Sequence, residues 1–232
     1  MSVHLRHRGF TLIELLVAVS IMALMAVMSW RSLDGMQSAT SRSTAHSDAV
    51  LAMDAGLGQW IADLDAVVEP GTQGRPITPL DWDGRALRLT RRHSADSAGG
   101  QVVVAWTKGN RNGVEQWLRW ESPAVTSFDS WKSAWTAAAL WAQSPSDASK
   151  KSEVFVANLS QWQIYFYRGN AWSNPLSSSG TGPAMPLGTQ GSEGNSSVPD
   201  GIRLSLVLDP PHPLAGTLTR DWVRPSLTSA AP

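Results

Sequence analysis

Apolar residues run almost unbroken from Phe10 to Trp30, and the only charge among them is Glu14. This is roughly the 20 residues a helix needs to cross a bilayer core. Leu33 and Met36 continue the helical spacing, and Gln37–Asp48 follows as a polar interval rich in Ser and Thr. Apolar positions then return at Val50, Met53, Leu57, Trp60, Ile61, Leu64 and Val68. Steps of three and four residues predict an amphipathic helix packed on a globular domain. The pattern therefore predicts a helix from Phe10 to about Val68, stopped by Pro70-Gly71. Ser and Thr favour helices weakly, so Gln37–Asp48 is the place for this helix to fray or bend.

After Pro70 the period shortens to two. Ala86–Arg91 alternates, with Leu87 and Leu89 on one face. Gln101–Thr107 and Val114–Trp120 flank Gly109-Asn110-Arg111-Asn112-Gly113 and predict a hairpin. Gln161–Tyr167 leads through Arg168-Gly169-Asn170 to Trp172, a second hairpin signal. Gly201–Leu208 and Gly216–Val223 read as a last pair of strands, joined by the proline-rich loop Asp209–Leu214. Ser127–Gln143 is either a short helix or a loop pinned by Trp131, Trp135 and Trp141. Residues 173–199 are rich in Gly, Ser and Pro and read as a mobile loop. The fold class is α+β: a long N-terminal hydrophobic helix followed by an antiparallel β-sheet globular domain.

Composition narrows the function. The chain has 232 residues, with 19 Lys and Arg against 19 Asp and Glu. Roughly 200 residues beyond the apolar run suffice for one domain with its own core. No basic field gathers nucleic acid. There are no cysteines, so neither a disulfide nor thiol chemistry is available. Twelve tryptophans are the obvious packing material, and most are expected in the core or on sheet faces.

Glu14 is the costly residue. An ionised group in a membrane segment costs about 2.5–3.5 kcal/mol or more, and such groups mark function. The residues before Phe10 include His4, Arg6, His7 and Arg8 and no acid, a cytoplasmic-type flank that sends the rest of the chain outward. A secretory signal peptide would have a shorter apolar run and a small-x-small site after it. A plain signal anchor leaves Glu14 unexplained. Cleavage between Gly9 and Phe10 explains it. The new Phe10 amine lies one helical turn from Glu14, since residues i and i+4 share a face. Amine and carboxylate can then neutralise each other, within one chain or between neighbours, and so set axial register. Gly9 lets an unhindered backbone enter a peptidase.

From Gly9 to Leu16 the chain resembles the type IV pilin-like family, whose pattern is Gly, then Phe, Thr, Leu-rich positions and Glu at the fifth mature residue. The resemblance implies cleavage after Gly9 by a membrane prepilin peptidase, N-methylation of Phe10, and packing of the apolar helix into a filament core. Met28-Ser29-Trp30-Arg31-Ser32-Leu33-Asp34-Gly35-Met36 is similar to the aromatic-Arg-small-Leu-Asp pattern of J-type minor pseudopilins of type II secretion systems. That likeness implies I- and K-type sibling pseudopilins, a major pseudopilin and the peptidase as partners. It also implies an inner-membrane anchor with a periplasmic C-terminal domain. The expected divisions are a leader at 1–9, a transmembrane part at 10–30, a periplasmic helical part at 31–68 and a β-rich domain at 69–232. Val17, Ile21, Leu24 and Val27 are helix-packing candidates. A minor pilin of a type IV pilus and a membrane-anchored periplasmic binding protein are the alternatives.

Catalytic patterns are not found. His4, His7, His46, His93 and His212 have no i, i+4 partner, so no zinc pattern appears. Asp81-Trp82-Asp83-Gly84 reads as a turn rather than a calcium loop. Asp63, Asp65 and Glu69 read as surface charge, and Arg91-Arg92-His93 as a solvated strand end. The expectation is a protein with no catalytic residues, metal or cofactor, acted on by enzymes rather than being one.

Overall fold

The computed structural model describes residues 10–68, 77–93, 100–176 and 198–225. Gly9 and the rest of the leader, Glu69, Pro70-Gly71 and residues 177–197 of the expected loop lie outside the described residues. The chain forms two compact units, 1–48 and 49–232. Helix α1 (Leu12–Asp65) contributes to both. In the first unit it carries the apolar run, and every described residue through Asp48 is exposed.

The second unit is built on two antiparallel sheets, which confirms the α+β reading. The first has the order β1 (Leu80–Trp82), β2 (Ala86–Arg92), β3 (Gln101–Arg111), β4 (Val114–Glu121) and β5 (Glu153–Asn158). The second has the order β7 (Ala171–Ser173), β6 (Gln161–Arg168), β8 (Gly201–Leu208) and β9 (Gly216–Val223). Between β4 and β5 lie α2 (Phe128–Gln143) and the short α3 (Asp147–Lys150).

Alternation decides which core each strand residue joins. Leu87, Leu89, Val102, Val104, Trp106 and Trp117 point to one side of the first sheet. There they meet Met53, Trp60 and Leu64 of α1 and the inner face of the second sheet, Ile164, Phe166, Ile202, Leu204 and Leu206. The α1 stripe is thus buried against its own domain's sheets. Ala86, Val103, Ala105, Leu118 and Trp120 point the other way and pack on Trp131, Ala138 and Trp141 of α2. β3 is central and buried on both faces. Most of the tryptophans are core residues as expected, although Trp30 is exposed: Trp60 lies edge-on to Trp106 at 5.4 Å, and Trp106 lies 4.7 Å from Trp117.

Both predicted hairpins form, but tighter than expected. Strand β3 runs on through Gly109-Asn110-Arg111, and Arg111 pairs with Val114. Asn112 and Gly113 alone make the turn, with φ of 53° and 84°. Two consecutive positive φ angles are what a two-residue loop needs to match the twist of its strands. Gly169 and Asn170 do the same between β6 and β7, at 55° and 68°. Ser127–Gln143 resolves as a helix: the Ser127 side chain accepts from Ser130 N, and Ser130 returns a side-chain bond to the Ser127 backbone. At the expected turn, Asp83 Oδ1 accepts from Arg85 N and Ala86 N at 2.9 and 2.8 Å, and Gly84 takes φ of 88°.

Two expectations are corrected. Asp63 is not surface charge: it is 0% exposed. Arg91 is not a solvated strand end, because its guanidinium turns back to Asp63 at 2.7 Å. Ser173 pairs with Phe166 and Val198 is buried in the main core, so both ends of 173–199 are anchored. Strands β1 and β5 were not anticipated.

Candidate functional site

The N-terminal site begins where α1 begins. Phe10 precedes the helix and is 88% exposed. Thr11 organises the first turn. Its backbone N and its Oγ1 both donate to Glu14 Oε2, at 3.1 and 3.0 Å. Glu14 N donates back to Thr11 Oγ1 at 3.4 Å, and Leu15 N donates to Thr11 O at 3.3 Å. This reciprocal arrangement satisfies amide donors that an α-helix otherwise leaves open at its start. A Thr three residues before a Glu was visible in the sequence and supplies a local reason for Glu14 beside the assembly reason. The described bonds use one carboxylate oxygen, Oε2.

The helix continues as an apolar rod. Val17, Ile21, Leu24 and Val27 are 53%, 49%, 58% and 54% exposed. Burial inside the chain does not account for them, so lipid or neighbouring helices must. Trp30 and Arg31 close the run, the residue types that settle at a membrane–water interface. The helix carries a window of mean hydropathy 2.4 and is long and apolar enough to cross a membrane.

Residues 5–30 match the family described as the prokaryotic N-terminal methylation motif. The chain therefore has a pilin-like, prepilin-type N-terminus, with the processing by prepilin peptidase and the methylation that such a motif entails. The match covers Gly9, Phe10 and Glu14 and ends at Trp30. No curated protein matches the chain.

The second polar cluster lies inside the 49–232 unit. Asp63 Oδ1 accepts from Gln59 Nε2, Arg91 Nη1 and Arg119 Nη2 at 2.8, 2.7 and 2.9 Å. Its Oδ2 accepts from Trp106 Nε1 and Arg119 Nε at 2.9 and 2.8 Å. Arg119 Nη2 also reaches Glu121 Oε2 at 2.6 Å. Two acids thus face two guanidinium groups and no net charge is buried. Burial alone would lower the Arg119 pKa, but its hydrogen bonds to the Asp63 and Glu121 carboxylates, and their charge, raise it above its ordinary value. Nearby, Trp222 Nε1 donates to Asp65 Oδ1 at 2.8 Å. The last turn of α1 is therefore tied to the first sheet by Asp63 and to the second by Asp65. These bonds give α1 a fixed seat; they leave no open position for a reacting group.

Among the described residues, no group of three or more His, Asp or Glu could hold a metal ion. His212 accepts Leu214 N on Nδ1 at 3.0 Å, and burial lowers its pKa. His46 lies in α1, and His93 follows β2. The structure does not bring these histidines and acids together.

Proposed function

We propose that this protein is a J-type minor pseudopilin. It joins I- and K-type siblings in a tip complex that starts assembly of a periplasmic pseudopilus for type II protein secretion. The observation that carries the reading is the methylation-motif N-terminus spanning Gly9, Phe10 and Glu14. The finer assignment draws on Trp30-Arg31-Ser32-Leu33-Asp34 directly after the apolar run. The role is structural: the chain is a substrate for a peptidase and a methylating enzyme, and it carries no catalysis of its own.

The chemistry lies in charge compensation. Hydrolysis of the Gly9–Phe10 amide creates an amine at Phe10. A carboxylate in a low-dielectric setting is stabilised by an opposite charge within about 4–6 Å. In the separate chain, Thr11 supplies two donors to Glu14 Oε2. In the assembly, a neighbour's Phe10 amine adds at Oε1 and fixes the axial offset between helices. The membrane anchor is the inner membrane, with residues beyond Trp30 in the periplasm.

Mass measurement of the purified N-terminus tests the first step: the product should begin at Phe10 and carry one methyl group. A chain that keeps Met1 overturns the pilin-like reading. Co-expression with I- and K-type pseudopilins tests the finer step, through their joint purification. The motif also fits a minor pilin of a type IV pilus, and loss of surface pili on deletion would favour that reading.

A further inference from the structure

The interval from Gln37 to Asp48 is helical although nothing in its surroundings asks it to be. It lies wholly within α1, and every one of its residues is exposed. Helices in proteins draw most of their stability from a packed apolar face, which this stretch lacks. Eight of its twelve residues are Ser, Thr, His or Asp. One of them, Thr40, turns its Oγ1 onto Met36 O at 2.9 Å, a bond to the backbone that mildly disfavours straight helix.

The balance can be weighed. Opening a stretch inside a continuous helix creates a new helix start, which is disfavoured by a factor on the order of 10³. Each Ser, Thr, His or Asp is roughly two- to threefold worse than Ala in a helix, so eight together disfavour it by a factor on the order of 10³. The two factors nearly cancel. The flanking helix differs on both sides: Leu12–Met36 is rich in strong helix formers, and Met53, Trp60 and Leu64 are locked in the core.

We infer that residues 37–48 form a helix–coil joint, exchanging between the helix described here and an unwound tether in the membrane-anchored chain. Unwound, the segment spans up to ~40 Å, against ~18 Å as helix. The joint gives the anchored chain a variable reach without loosening either flanking helix. This conclusion rests on the interval itself and stands apart from the secretion role.

Hydrogen exchange of the full chain in lipid nanodiscs, read by mass spectrometry, tests it. Amides 41–48 should be protected less than about tenfold, and those of Trp60–Leu64 at least about 100-fold more than that. Replacing the six hydroxyl residues together (S38A, T40A, S41A, S43A, T44A, S47A) should raise protection of the interval by roughly 100- to 200-fold. Protection of 41–48 equal to that of Trp60–Leu64, or no change in the six-fold variant, would overturn the joint.

Discussion

Asp63 of α1 holds the guanidinium of Arg119 on β4 by two parallel hydrogen bonds, 2.8 and 2.9 Å long, with none of the acid exposed. A buried ion pair gives little net stability over an apolar replacement, but removing one partner strands the other. Asp63→Asn leaves Arg91 and Arg119 without their shared anion. The expected loss is about 3–5 kcal/mol, read as a lower urea midpoint for the tryptophan emission of the 49–232 unit. Arg119→Lys keeps the charge but not the fork, and should cost less. A midpoint unchanged in Asp63→Asn would show that the seat of α1 does not depend on this acid.

Two glycines in the same helix should respond in opposite ways. A Cβ on Gly56 would lie 2.2 Å from Cγ1 of Val156, a stiff β-branched side chain on β5. Gly56→Ala should therefore destabilise by about 1–3 kcal/mol, and Val156→Ala in the same chain should recover part of the loss. A Cβ on Gly58 meets nothing within 4 Å. Gly58→Ala should stabilise by about 0.5–1 kcal/mol through helix propensity alone. Paired melting curves in detergent decide both, and equal shifts for the two variants would contradict the close approach.

These residues also show where the sequence was readable. The apolar stripe Met53, Trp60, Leu64 was visible because its members are hydrophobic. The buried residues of α1 are Met53, Gly56, Trp60, Asp63 and Leu64, at helical three- and four-residue spacing. Two of the five, Gly56 and Asp63, carry no apolar side chain, so a hydrophobicity pattern passes over them. Extending the spacing through Asp63 would have placed the acid inside, and Arg91 with it. The hairpins were legible from Asn and Gly, the residues that tolerate positive φ. Strand β1 was not, since Leu80-Asp81-Trp82 is too short to show a period. Strand β5 hides behind a bulge at Trp117/Leu118 that breaks its alternation. The N-terminal motif was legible in full, because its chemistry is local in sequence.

Glu153 predicts a pH dependence. Burial pushes its carboxyl up, but hydrogen bonds from Arg111 and Trp141 outweigh burial and hold the pKa below its ordinary value. Arg111 donates through Nε and Nη2 at 3.1 and 2.8 Å, and Trp141 Nε1 donates at 2.7 Å. A folded-state pKa below the unfolded value means that the unfolded chain binds the proton more readily. The stabilisation is fully present above the unfolded pKa of about 4.3 and is lost as pH falls through the folded pKa. Urea midpoints from pH 7 to pH 3 should fall less steeply below about pH 4.3 in Glu153→Gln than in the parent chain. Parallel acid limbs would remove Glu153 from the account.

The N-terminal turn separates processing from assembly. Gly9→Leu should block maturation and leave the longer precursor, because a branched side chain hinders entry of the backbone into the peptidase. Under the proposed pseudopilin role, Glu14→Ala should still be cut, since the expected cleavage lies at Gly9–Phe10, but should co-purify poorly with sibling pseudopilins and reduce secretion. Thr11→Val distinguishes the two tasks of Glu14. It removes the Oγ1 bonds to Glu14 Oε2 and from Glu14 N, weakening the helix start by about 0.5–2 kcal/mol while the carboxylate remains available to a neighbour's amine. Cleavage should therefore be normal in Thr11→Val, and assembly should fall less than in Glu14→Ala. N-terminal mass gives the first readout, and the yield of co-purified siblings gives the second. If Thr11→Val and Glu14→Ala lose assembly equally, Glu14 serves the helix start rather than the register between chains.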